Sequence, residues 1–258
     1  NRISLGVQSL ENSLLKDIGR IHTAEQFYEN YNNIIKVGFN NVNVDLMFSL
    51  PNQSLINFEE TLIKIVELSP EHISCYSLIL EEGTKFYNMY ENGLLTPVED
   101  ELDREFYYKA INILEKNNYN LYEISNFAKK NKECKHNIVY WQRKEYIGFG
   151  LGASSLLNEK RITNTRNFSD YINFKNNKEI EILEKKHMYS EFVFLGLRMI
   201  QGISKSKFKN DFGINITDIY QKEINKFLEN GLLLEKDDFI YLSKKGIDLS
   251  NVVFSEFI

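Results

Sequence analysis

The sequence predicts an α/β fold, a barrel or a piece of one, followed by a small winged-helix-like α+β domain. Three observations predict it. Short apolar strands alternate with amphipathic helices over residues 3–80. Those strands are apolar enough to sit inside a parallel sheet, and antiparallel hairpins would not need the helices between them. After residue 185 the pattern changes to three helices followed by a hairpin.

In chain order, Ile3 to Gln8 (ISLGVQ) is a strand. Glu11 to Arg20 and Thr23 to Val37 are helices by apolar spacing, through Leu14, Leu15 and Ile18, then Phe27, Tyr31, Ile34 and Ile35. Gly38 stops the second helix. Val42 to Phe48 (VNVDLMF) is a strand closed by Pro51, and Leu55 to Leu68 is a helix stopped before Pro70. His72 to Leu80 (HISCYSLIL) is the third strand. The chemistry of such a sheet belongs at the C-terminal ends of its strands. A helix over Asp100 to Lys116 and a strand over Asn120 to Ile124 follow. Next come the segment His136 to Trp141 (HNIVYW), the glycine run Gly148 to Gly152, and strands over Ala153–Leu157 and Arg161–Thr165. A lysine- and glutamate-rich stretch near Lys175 to Lys186 precedes the change of character, so a boundary is expected near residue 185, giving domains 1–185 and 186–258. Beyond it, Met188–Met199, Lys205–Asp211 and Thr217–Glu229 are helices. Leu232–Glu235 and Phe239–Leu242 form a hairpin around Asp237-Asp238.

At 258 residues, 43% hydrophobic and 26% charged, the chain can bury a sizeable core. No apolar run has the length of a membrane span. A net charge of -5 argues against a general nucleic-acid or anionic-membrane binder. Asp211, Asp218, Glu223 and Glu229 interrupt the lysines of the last helices, so no basic stripe forms and no nucleic-acid partner is expected. Two cysteines, Cys75 and Cys134, fit a reducing compartment, hence a cytoplasmic protein. The chain opens inside a strand, Asn1-Arg2-Ile3-Ser4, as expected of a piece of a longer protein.

Three polar residues end or interrupt apolar elements: Gln8 ends the first strand, Asp45 sits within the second, and Arg20 closes the first helix. A carboxylate in a buried strand is costly unless paired. One reading is a buried Asp45–Arg20 ion pair with Gln8 as its neighbour. The other is a ligand site in which the arginine clamps a carboxylate while the amide and the aspartate hold hydroxyl or amino groups. His22 follows Arg20 closely and could line the same site, whereas His72 reads as a satisfied strand end and His187 as surface. His136, Asn137, Tyr140 and the single Trp141 suit a planar iron macrocycle, the imidazole ligating iron and the rings packing on the porphyrin, although such clusters also occur in ordinary cores. The glycine run fits a bulged or tightly packed strand better than a phosphate cradle. Cys134-Lys135-His136 offers two metal ligands, too few for a site.

Taken in order, RISLGVQSL…LLKDIGRIH, NVNVDLMFSLPNQS, HISCYSLILEEGT, YEISNFA and CKHNIVYW…YIGFGLGASS closely resemble the radical SAM family of HemN and HemW, the oxygen-independent coproporphyrinogen III oxidases and the related heme chaperones. The resemblance runs over nearly the whole chain and is weakest after about residue 185. It implies a partial (β/α) barrel of radical SAM type in which Gln8, Arg20 and Asp45 contact S-adenosylmethionine, the arginine meeting the methionine carboxylate. HNxxYW resembles the chaperone branch, which implies heme binding by His136, its iron ligand, with Tyr140 and Trp141 beside the ring and a recipient hemoprotein as partner. The rival within the family is coproporphyrinogen III oxidase. A rival of another class is a winged-helix nucleic-acid or docking module. Ser49-Leu50-Pro51 stands where many relatives have Gly-Leu-Pro, which puts the shape of that turn in question. The family's CxxxCxxC motif, which holds its 4Fe–4S cluster, has no counterpart here, so this chain by itself is expected neither to bind the cluster nor to cleave S-adenosylmethionine. By the family's order the first three barrel strands are also missing, which would leave the Ile3–Gln8 strand with an open edge that those strands cover. Contact with a membrane is expected only through a recipient.

Overall fold

Strands β1 (Ile3–Gln8), β2 (Val42–Phe48) and β3 (His72–Ser77) lie side by side and parallel, as their apolar composition and intervening helices predict. In this computed structural model residues 1–175 and 177–258 are described, so residue 176, within the Lys175–Lys186 stretch, lies outside the described residues. Between the strands run α1 (Asn12–Asp17), α2 (Ala24–Lys36) and α3 (Leu55–Leu68). α1 is shorter than expected because the chain turns at Gly19, with φ 73°, before it reaches Arg20. The start of α2 is fixed by a capping box, Thr23 and Gln26 each satisfying the other's backbone amide. Ser54 caps α3, and Ser69 ends it in the left-handed region.

Two helices follow by way of loops, the short α4 (Lys85–Glu91), which periodicity had not suggested, and the long α5 (Asp100–Lys116), which matches its expected bounds. The sheet closes with an antiparallel pair, β4 (Asn120–Glu123) and β5 (Asn126–Ala128), giving the order β1-β2-β3-β5-β4. β1 is therefore an edge strand. One face of the sheet is apolar: Val44, Leu46 and Phe48 of β2 and Ile73 of β3 are buried with Phe58 and Leu62 of α3 and Phe106 of α5. Phe48, Phe58 and Phe106 form an aromatic cluster with ring centroids 5.4 to 6.4 Å apart. The opposite face is polar, because alternate residues of the same strands point to it.

The chain divides into two compact units, residues 1–133 and 134–258. The second opens with α6 (Lys135–Trp141), so HNIVYW is one short helix. An antiparallel sheet of β6 (Ser154–Leu157), β7 (Lys160–Thr163) and β8 (Glu179–Ile182) follows, with α7 (Phe168–Ile172) between its last two strands. Gly148 fits the tight-packing reading of the glycine run: a Cβ there would lie 2.2 Å from the backbone oxygen of Ser154. Then come α8 (Lys185–Gly196), β9 (Ile203–Ser204), α9 (Lys205–Phe212), α10 (Thr217–Glu229), β10 (Leu233–Lys236), β11 (Phe239–Leu242), α11 (Lys244–Asp248) and α12 (Ser250–Ser255). The hairpin β10–β11 turns at Asp237, φ 54°, and carries β9 on its outer side. This is the helices-then-hairpin pattern expected for the C-terminal part.

The boundary expected near residue 185 falls inside the second unit, between β8 and α8. Side chains from before that point reach across it. Glu191 of α8 accepts from Arg143 at 2.9 Å and also pairs with Arg161, while Arg143 bonds Glu159 at 2.6 Å. Trp141 lies under the Arg198 guanidinium, 4.5 Å from ring centre to carbon. No helix among the described residues is long and apolar enough to cross a membrane.

Candidate functional site

The polar face of the first unit is built by register. Ser4 of β1, Asn43 of β2 and His72 of β3 form one row across the sheet; Gly6, Asp45 and Ser74 form the next. Polar groups in such rows need partners, because burial without hydrogen bonds is costly. They have them. Asn43 Nδ2 donates to Asp45 Oδ1 at 2.8 Å and to Ser4 Oγ at 3.2 Å. Its Oδ1 accepts from Ser74 Oγ at 3.3 Å and lies 2.6 Å from His72 Nδ1. His72 Nε2 is 2.9 Å from the Tyr122 hydroxyl. Burial, aided by the Arg2 charge, pushes the His72 pKa down to about 3, so the ring is neutral.

Toward the C-terminal ends of the strands, Gln8 leaves β1 through a bulge, with φ 65°, and is buried. Its Oε1 accepts from the Tyr76 hydroxyl at 3.3 Å. Burial and the Asp45 carboxylate push the Tyr76 phenol up, and the bond to Gln8 and the Arg20 charge oppose them. Tyr76 thus bonds Gln8 and feels the charges of Asp45 and Arg20. The Asp45–Arg20 ion pair, one of the two readings of these residues, does not form among the described residues: Arg20 lies exposed past the turn at Gly19, and Asp45 is held by Asn43 instead. His22 sits beside the end of β1, with Nε2 3.4 Å from the Val7 carbonyl.

Beyond the C-terminal ends of β2 and β3 lies a cavity of about 270 Å³, lined by Ser49, Ser77, Leu78, Val98 and Asp103. Asp103 accepts from Ser49 Oγ at 2.7 Å, from Ser77 Oγ, and pairs with Arg104. Burial disfavours its charge, but the Ser77 and Ser49 hydroxyls and the Arg104 guanidinium outweigh it and hold the carboxyl below the usual range. Ser49 enters the left-handed region, φ 57°, as a glycine there would.

In the second unit, α6 places His136 and Tyr140 one turn apart on the same face. The Tyr140 hydroxyl is 3.2 Å from His136 Nε2, with ring centroids 4.9 Å apart and edge-on. Tyr146 extends the cluster, 4.6 Å from Tyr140. His136 is exposed. Trp141 is five positions further on and points about 140° away around the helix, toward Arg198. It does not join His136 and Tyr140. It lines a separate cavity of about 320 Å³ with Phe192, Met199 and Phe239. His187 is exposed, as expected.

Sequence reasoning singled out Gln8, Arg20, Asp45, His136, Tyr140 and Trp141 as candidates. It missed Asn43, Tyr76 and Tyr122, and took His72 only for a strand end. The available signal was polar residues two apart in apolar strands, Asn43 and Asp45, then His72, Ser74 and Tyr76.

Residues 183–249 match the HemN C-terminal domain family. Over its whole length the chain is similar to the heme chaperone HemW of Lactococcus lactis, 40% identical and spanning 69% of that protein. It is likewise similar to the heme chaperone HemW of Bacillus subtilis, at 35% identity and 69% of that protein. In fold the whole chain is similar to the coproporphyrinogen III oxidase HemN of Escherichia coli, a radical SAM enzyme, with a TM-score of 0.79. It spans 64% of that structure and is 17% identical to it, so this likeness is one of fold.

Proposed function

The chain belongs to the family of the heme chaperone HemW, and from that premise we propose that its protein binds heme through His136 and passes it to a recipient hemoprotein. The observation that carries this reading is an exposed imidazole whose Nε2 meets only the Tyr140 hydroxyl, 3.2 Å away, among the described residues. A phenol is a weak partner that a ferric or ferrous iron can displace from the nitrogen. Tyr140 and Tyr146 offer ring surface beside it for a porphyrin. Trp141 serves this site indirectly, by anchoring α6 under Arg198.

The proposal includes S-adenosylmethionine at the strand ends of the first unit. The residues fit its chemistry. Arg20 is an exposed cation suited to a carboxylate, and Gln8 presents an amide. Asp45 presents a carboxylate whose Oδ2 accepts no hydrogen bond among the described residues, suited to amino or sugar hydroxyl groups. Bound there beside the family's cluster in the intact protein, the cofactor would supply radical chemistry; the residues named bind and orient it. The family's 4Fe–4S cluster does not fit this chain: the Cys75 thiol is buried and pushed up, two cysteines are too few, and no group of three or more ligating side chains occurs among the described residues. The family match at 183–249 supports treating residues 186–258 as a functional domain of its own. A cytoplasmic setting is part of the proposal, supported by two cysteines, Cys75 and Cys134, that form no disulfide among the described residues.

Hemin titrated into the chain and into His136→Ala, followed by the Soret band, tests the reading. Saturable binding that the substitution weakens is the expected result. Equal binding by both proteins overturns His136 as the ligand.

A further inference from the structure

Asp45 is aimed by more than its own strand. Its Oδ1 accepts from Asn43 Nδ2, and a carboxylate can only accept, which fixes the nitrogen end of the Asn43 amide toward it. The Asn43 oxygen then faces His72 Nδ1 at 2.6 Å. Two acceptors cannot share that contact, so Nδ1 carries the ring proton. His72 is 2% exposed, and a neutral ring protonated at Nδ1 has a bare Nε2, which accepts from Tyr122 at 2.9 Å. Every donor in the chain Tyr122–His72–Asn43 therefore points toward Asp45, and bonds aligned in one direction strengthen one another.

We propose that Asn43 and His72 are positioning residues that lock one oxygen of Asp45 and present the other to the ligand of the strand-end site. The inference rests on reading that site as one for S-adenosylmethionine. It explains why a buried histidine and asparagine stand in one row of the sheet, next to the row that holds the aspartate.

The test uses the full-length protein with histidine labelled with nitrogen-15, together with calorimetric titration of S-adenosylmethionine. In the wild type, His72 should be the neutral Nδ1–H tautomer. In Asp45→Asn the Asn43 amide is free to turn over, and the Nε2–H form should gain population. Asp45→Asn, Asn43→Ala and His72→Phe should each weaken S-adenosylmethionine binding about tenfold, the loss expected for a charge-assisted bond. If Asp45→Asn weakens binding while folded Asn43→Ala and His72→Phe bind like the wild type, the positioning role fails and the site reading survives. If Asp45→Asn also binds like the wild type, the site reading itself fails. Should the variants not fold, the tautomer still decides: an Nε2–H ring in the wild type overturns the proposal.

Discussion

Ser49 holds a left-handed backbone that costs a serine about 1 kcal/mol relative to glycine, and its hydroxyl returns some of that through Asp103. The two contributions can be separated. Ser49→Ala keeps the strain and loses the bond, so it should destabilise the chain by about 1–2 kcal/mol. Ser49→Gly loses the bond but relieves the strain and should be nearly neutral. Urea unfolding of the pair checks this; equal stabilities would show that the backbone angle costs nothing. His72 makes a second prediction at this scale. The unfolded chain takes up a proton on this ring near 6.5, the folded chain only near about 3. The unfolded state therefore binds more protons between those values. The contribution of His72 is complete above pH 6.5 and is lost as pH falls toward 3. The groups facing it are Arg2, Asn43 and Tyr122, with Asp45 beyond Asn43. His72→Gln should be less stable than the wild type at pH 7 and the gap should narrow by pH 4, in urea midpoints. A gap that does not change with pH would rule out the ring as the titrating group.

At the scale of elements, β1 pairs on one side only. The Ile3 amide bonds the Asn41 carbonyl, at the β2 side, so by the two-residue period the amides of Ser4 and Gly6 face outward. They should exchange with solvent faster than those of Val44 and Leu46 in the sheet interior, as hydrogen exchange read by NMR can tell. Protection of Ser4 and Gly6 would mean that something covers the edge. On α6 the fourfold spacing sets a hydroxyl against the proposed iron ligand. Tyr140→Phe frees Nε2, so it should bind hemin at least as tightly as the wild type; a large loss would make the hydroxyl part of the heme contact. Much of this level was legible beforehand. β2, α3, α5 and α10 begin and end where their sequence pattern, with Pro51 after β2 and Pro70 after α3, puts them. β5 was not, since three residues carry no period, and neither was the antiparallel return of β4 and β5. The site divides the same way. Gln8 and Asp45 stood out as polar residues in apolar strands. Asn43 and His72 acquire meaning only through the register that sets them side by side, and register is a long-range property that no local pattern contains.

For the molecule as a whole, composition marked a change near residue 185, but the contacts divide the chain after Glu133. Composition senses which segments are charged; it cannot sense that Arg143 and Arg161 spend their charge on Glu191. The Arg143 side chain is 8% exposed, so Glu191→Ala would leave a buried charge with only the Glu159 pair, at a cost of about 3 kcal/mol. That loss should fall on the second unit and spare the first. The single tryptophan makes the distinction observable. Trp141 stacks under Arg198 within the second unit, and the first unit contains no indole at all. Its emission is a native optical gauge of one half of the chain, whereas circular dichroism sums both halves. In Glu191→Ala the fluorescence transition should move to lower urea and part company from the dichroism signal. Because the indole shares a short helix with His136, a strongly absorbing macrocycle docked at that histidine would also darken it. One side chain then reports both melting and loading without any added label.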